Sequence, residues 1–148
     1  MKIQHPEPEA DRLDQIAAQY LKMMDRFRAA YVAIDPEGLR SLVTPDFEWR
    51  VDWFPVDAPV HTGKVLRGIG EMVAELERRK AAWSDVRFRH LKEQFQPGLV
   101  VQTFVISGVD QHSGPFEVSA VDLYTVTDQG LISRKDTYWK RARADWPG

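Results

Sequence analysis

The amino-acid sequence predicts an α+β domain, and three observations carry that prediction. A long amphipathic helix opens the chain, two shorter helical segments and one strand follow it, and from Asp85 onward the residues read as consecutive strands joined by turns. Helices first and an antiparallel meander afterwards pack simply as a curved sheet wrapped over the first helix. That arrangement buries the helix's apolar stripe and leaves room for a cavity between the two layers.

From Asp11 onward, Leu13, Ile16, Ala17, Tyr20, Leu21, Met24, Phe27 and Tyr31 recur at three- and four-residue steps, which places them on one stripe of a helix. Asp35-Pro36-Glu37 starts a short second helix, with Asp35 as N-cap and Pro36 in its first position, and Thr44-Pro45 ends it. "FEWRVDWF" then alternates, with Phe47, Trp49, Val51 and Trp53 on one side and Glu48, Arg50 and Asp52 on the other. The stretch through Pro55, Pro59 and Gly63 reads as a loop. Ile69, Met72, Val73, Leu76 and Trp83 form the apolar side of a third helix whose "ERRK" face is solvated. The strands that follow are "VRFRHLKEQF", "LVVQTFVISGV", "FEVSAVDLYTV" and "LISRKDTYW", separated by the turns "QPGL", "DQHSGP" and "TDQG".

Composition narrows the function classes. The 148 residues suit one domain, 1–148, with residues 1–9 expected to be a flexible N-terminus, and 43% apolar with 28% charged residues is ordinary for a folded globule. A net charge of -2 provides no positive field for nucleic acid or an anionic membrane. The absence of cysteine removes disulfides, thiolate nucleophiles and Cys-ligated zinc. No run approaches the roughly 18 apolar residues of a membrane span, so a cytoplasmic protein is expected. No GxGxxG follows a strand, no GxxxxGK or HExxH occurs, and His5, His61, His90 and His112 lack paired spacing. Neither a cofactor nor a metal is expected.

Asp122 stands out within the strands. Alternation puts it on one face with Phe116, Val118, Ala120, Tyr124 and Val126, where a lone carboxyl must be paired, hydrogen-bonded or neutral. A functional acid and a structural hydrogen bond both satisfy that requirement. His90 shares a face with Val86 and Phe88, so it is either a general base or a satisfied core residue. In the last hairpin, a three-residue loop of Asp128, Gln129 and Gly130 sets Asp122 beside Asp136, where two close carboxyls would titrate as a pair. A one-residue change of register sets Asp122 beside Thr137 or Lys135 instead and sends Asp136 to the other face.

The element order, with "VDLYTVTDQGLISRKDTYW" at its end, resembles the nuclear transport factor two-like superfamily, in its SnoaL-like and ketosteroid isomerase-like branch. The resemblance implies a cone, a curved mixed or antiparallel sheet wrapped around three helices of the N-terminal half and enclosing an apolar pocket. It implies an oxyanion-stabilising role for Asp122, which matches the isomerase's strand Asp before the turn glycine. It implies a base role for His90, because "RFRHLK" is similar to the histidine-bearing strand of the SnoaL-like dehydratases. It also favours the register that separates Asp136 from Asp122, with Trp139 as the pocket-lining terminal aromatic.

The chain departs from those relatives at several positions. The isomerase's helical tyrosine falls at Ala30, one residue from Tyr31, which is either a pocket residue or a core aromatic. The general-base position falls at Asp52, which alternation alone would turn to solvent, with Asp57 as a weaker substitute. "VVQTFVIS" lacks the Arg and Asp of an epoxide hydrolase, and the dehydratase's helical Asp falls near Val32.

The expected function is a cofactor-independent acid/base enzyme of isomerase, dehydratase or cyclase type, acting on a small hydrophobic carbonyl-bearing or ring compound. Its candidate acid/base residues are Asp122, His90, Asp136, Asp52 and Tyr31, and its candidate apolar walls are Trp49, Trp53, Phe104, Tyr124 and Trp139. The alternative is a noncatalytic small-molecule-binding or dimerisation module of the same fold. Convergence of His90 and Asp122 on one pocket discriminates the two. A homodimer is expected, with no nucleic-acid or membrane partner.

Overall fold

The computed structural model describes residues 8–148. The expected flexible segment 1–9 therefore lies outside the described residues except for Pro8 and Glu9, which open the first helix. The elements are α1 (Pro8–Ala33), α2 (Pro36–Arg40), β1 (Val43–Trp53), β2 (Thr62–Arg67), α3 (Gly68–Ala82), β3 (Trp83–Gln96), β4 (Leu99–Asp110), β5 (Gly114–Val126) and β6 (Ile132–Lys140). One six-stranded curved sheet runs in the order β2-β1-β6-β5-β4-β3, and every neighbour is antiparallel except the parallel β1–β6 pair. Three helices pack with it as an open cone.

The core lies between α1 and the concave face. Tyr20, Met23, Met24, Phe27 and Ala30 of α1 are buried against Trp49, Val100, Phe104, Ile106, Val118, Ala120, Tyr124 and Trp139 of the strands. Leu13 and Leu21, which helical spacing placed on the stripe, are exposed. Leu21 follows Tyr20 by roughly 100° of helix rotation, which turns it off the face that Tyr20, Met24 and Phe27 define.

Other boundaries differ from the sequence expectation. The second helix stops at Arg40, and Thr44 and Pro45 already belong to β1. Pro45 is tolerated there because the β1–β6 ladder is irregular between Val43 and Glu48. The stretch read as a loop contains β2, an edge strand whose burial merely alternates between half-buried and exposed. Trp83 ends α3 and starts β3, with extended backbone.

After β6 the chain folds back and places Trp146 among Phe116, Trp139 and Trp83, with ring centroids 4.8, 5.4 and 5.6 Å away. Arg79 of α3 donates from Nη2 to the Gly148 carbonyl over 3.1 Å, so this tail and α3 together close one end of the cone.

Candidate active site

The β5–β6 hairpin sets the chemistry. Asp128, Gln129 and Gly130 do form a three-residue loop, with Gly130 at φ 77° and Thr127 N–H donating to the Leu131 carbonyl over 2.8 Å. That loop alone would pair Asp122 with Asp136. Past it, the ladder slips by one residue at Ser133: Val126 faces Ile132, but Thr125 faces Arg134. The bulge carries through the hairpin, so Asp122 faces Thr137 and Asp136 faces Leu123. Lys135, Thr137 and Trp139 therefore share the concave face, while Asp136 turns to the other face and pairs there with Arg134 at 2.8 Å.

A cavity of about 170 Å³ lies between α1 and this face. Its walls are mostly aromatic, including Phe27, Tyr31, Trp49, Phe104, Tyr124 and Trp139. Val32, Phe88 and Leu91 line it yet remain 77%, 54% and 44% exposed, which locates the mouth between the end of α1 and β3. An apolar cavity of about 150 Å³ holds benzene, so the volume suits a single-ring compound.

Asp122 is buried in this wall, and each of its oxygens has a separate setting. Trp49 Nε1 donates to Thr137 Oγ1 over 2.9 Å, and Thr137 donates onward to Asp122 Oδ1 over 2.6 Å. Because an indole N–H can only donate, Thr137 must accept from Trp49, and its own proton is left for Asp122. Oδ2 faces Tyr124 OH at 3.5 Å and Lys135 Nζ at 3.7 Å. Burial, and then the Asp122 charge, push the Tyr124 hydroxyl well above its ordinary 10, so it stays protonated and can only give a hydrogen bond to the carboxylate.

Lys135 is the functional candidate that sequence reasoning missed. Its side chain is 5% exposed, and Nζ lies 4.2 Å from the Trp49 ring, 4.5 Å from Tyr31 and 5.7 Å from Tyr124. The aromatic faces and Asp122 together hold a cation that water does not reach freely. The signal was present: counting back by twos from Trp139 reaches Thr137 and then Lys135, the same alternation that exposed Asp122.

Arg79 closes the far end. Its guanidinium lies 4.7 Å from Trp49, 5.1 Å from Trp83 and 5.7 Å from Trp139, and Nε donates to Glu75 over 3.1 Å. Nearer the mouth, Gln102 donates to Glu93 over 2.7 Å, and Arg28 donates to the same carboxylate over 3.2 Å.

The remaining sequence candidates divide clearly. Tyr31, Trp49, Phe104, Tyr124 and Trp139 line the cavity with Asp122. His90 does not: the β3–β4 register shifts between Arg89 and Lys92, and His90 sits exposed in that bulge at φ 57°. The shift returns Leu91 to the face of Phe88 and turns His90 away, so the convergence of His90 and Asp122 does not occur. Asp52 stays on the polar side of β1 and pairs with His61. Asp57 accepts from the Ala144 N–H over 2.7 Å and anchors the tail. Trp53 is buried beyond the cavity, donating to the Arg143 carbonyl over 3.1 Å.

Among the described residues there is no cluster of three His, Cys, Asp or Glu placed to hold a metal, and no helix long and apolar enough to cross a membrane.

The curved six-stranded sheet and three helices make the nuclear transport factor two-like cone fold. Within it, the chain belongs to the SnoaL-like domain family, which matches residues 6–135. An NTF2-like protein from Burkholderia xenovorans LB400 superposes with a TM-score of 0.70 at 19% identity, covering 88% of this chain and 97% of that one. A protein from Jannaschia sp. CCS1, provisionally named a SnoaL-like polyketide cyclase, has a TM-score of 0.63 at 17% identity over 93% of this chain and 92% of its own. A protein of ketosteroid isomerase-like fold from Catenulispora acidiphila DSM 44928, in complex with trimethylamine, has a TM-score of 0.58 at 18% identity, covering 80% and 85%. These likenesses are of fold. No curated protein matches the chain.

Proposed function

We propose that the protein is a cofactor-independent acid/base enzyme that moves a proton next to the carbonyl group of a small, hydrophobic, single-ring compound. The observation that carries this reading is the placement of Asp122 Oδ2 and Lys135 Nζ, 3.7 Å apart, in the wall of one aromatic cavity. Asp122 Oδ2 takes the proton from the carbon beside the carbonyl, and the Lys135 ammonium donates to the oxygen on which charge develops. Thr137 and Trp49 fix the carboxylate by holding its other oxygen. Isomerisation, dehydration and aldol-type cyclisation share this step. The roles differ from the sequence expectation: Asp122 becomes the base and Lys135 the oxyanion partner, with His90 outside the site.

The test is exchange of the methyl protons of acetophenone with solvent deuterium, followed by proton NMR. Wild-type protein accelerates the exchange and Asp122→Asn does not. Equal rates with and without wild-type protein across a panel of single-ring ketones would remove the reading.

The exposed position of His90 favours a second reading, a ligand-holding module with no turnover. Saturable binding of the same ketones without exchange is its signature. We also propose a homodimer, supported by the sheet face opposite the cavity. Val101, Val105, Val121 and Leu123 are only half-buried there, and Tyr138 is 44% exposed. Light scattering at twice the 17.1 kDa chain mass supports it, and the single-chain mass removes it.

A further inference from the structure

We propose that Lys135 is a carbonyl-capturing amine, which forms a covalent iminium with unhindered single-ring aldehydes and ketones in the cavity. This rests on the reading above that the cavity takes small carbonyl compounds, and it adds a nucleophile to the site.

Lys135 differs from the other lysines among the described residues. Lys22, Lys80, Lys92 and Lys140 are exposed, and Lys64 donates to Glu75 over 2.8 Å. Lys135 lines the cavity with its side chain 5% exposed, and its one charged partner among the described residues stands at 3.7 Å, beyond hydrogen-bond length. A buried amine of this kind is the form in which lysine serves as a nucleophile toward carbonyls. The acid it needs is beside it. Thr137 holds Asp122 Oδ1, and Oδ2 remains directed at Nζ as the oxygen able to accept and return a proton.

The step balances within this pair. The Lys135 ammonium gives one proton to Asp122 Oδ2, the carboxylate oxygen 3.7 Å from it. The neutral amine adds to the carbonyl carbon, and the second nitrogen proton moves to the carbonyl oxygen, giving a carbinolamine. Asp122 then returns its proton to that hydroxyl, which leaves as water as the C–N bond becomes double. One ammonium, one carboxylate and one carbonyl compound become one iminium, one carboxylate and one water. The site holds a cation and an anion before and after, so the rings of Trp49, Tyr31 and Tyr124 that hold the ammonium hold the iminium equally. The carboxylate is then placed to take the proton from the carbon next to the iminium.

The experiment treats wild-type protein with benzaldehyde and sodium cyanoborohydride at neutral pH and maps the reduced adduct by peptide mass spectrometry. Lys135 should be labelled at least about tenfold faster than exposed Lys140, since the cavity presents the aldehyde to it at a high effective concentration. Toluene, which fills the same space without a carbonyl, should suppress that fast labelling. Lys135→Arg should remove it, while Lys140→Arg leaves it intact. Labelling of Lys135 no faster than Lys140, or indifferent to toluene, overturns the proposal, and both readouts use the wild-type fold. Acetophenone exchange measured on the same preparation separates the two readings: exchange without a Lys135 adduct overturns covalent capture and leaves the acid/base reading standing.

Discussion

Thr137 faces Asp122 across the β5–β6 ladder and donates to its Oδ1 over 2.6 Å, while the neighbouring Asp136 points to the other face of the sheet. The bulge at Ser133 produces this relationship. It replaces a pair of carboxylates with a chain of donors that runs from Trp49 through Thr137 to one oxygen of Asp122 and leaves the other oxygen to Lys135.

Thr137→Val should therefore be costly although it conserves shape. It leaves the buried Trp49 N–H without an acceptor and removes the donor to Asp122, a loss of about 1–3 kcal/mol for stranded buried polar groups. Thr137→Ser keeps both bonds and should fall within about 1 kcal/mol of wild type. Urea denaturation checks the pair of variants, and equal losses in both would refute the relay.

Asp122 and Lys135 should behave as one energetic unit. Asp122→Asn leaves a buried ammonium without its counter-charge and should cost about 3–5 kcal/mol, whereas Lys135→Met strands the carboxylate at similar cost. The double variant should lose clearly less than the sum of the two. Additive losses in chemical denaturation would mean that the two charges do not interact.

The sequence carried the fold because its signals are local and repeated. The stripe from Tyr20 to Phe27 and the alternation through β4, β5 and β6 mark the buried faces, and Asp122 was legible as a carboxyl on one of them. The failures fall where a single residue of register decides the answer. Nothing in "TVTDQGLIS" announces the bulge at Ser133, and nothing in "RFRHLK" announces the one that turns His90 outward. Lys135 followed the same alternation as Asp122 but sat within "SRKD", where flanking charges look like a solvated hairpin. The edge strand β2 lacks a buried face and so lacks the pattern by which strands are read.

The outward position of His90 gives a prediction opposite to the one its strand suggested. His90→Ala should leave ketone exchange within about twofold of wild type, because the side chain is exposed and does not line the cavity. His90→Gly should stabilise the fold by up to about 1 kcal/mol, since the left-handed backbone at this bulge is free of strain only for glycine. A tenfold fall in exchange for His90→Ala would return the histidine to the site.

Acid should weaken the α3 end of the cone through Glu75. Burial pushes its carboxyl up, but hydrogen bonds from Arg78 and Lys64 and the charge of Arg79 outweigh burial and hold it at about 2 against an ordinary 4.5. The folded value lies below the unfolded one, so this stabilisation is complete above 4.5 and is lost as pH falls toward 2. Glu75→Gln should lower stability at pH 7 by on the order of 3 kcal/mol, and the gap to wild type should close on acidification. A gap that stays constant from neutral pH to pH 3 would assign the loss to packing.

Whether Asp122 and Lys135 together move a proton beside a carbonyl is decided by acetophenone exchange in deuterium oxide on wild type, Asp122→Asn, Lys135→Met and the double variant. Each single change should lower the rate by at least about 10²-fold, and the double variant should fall little further, as expected of groups acting together. Exchange that survives at the wild-type rate in both single variants would contradict it.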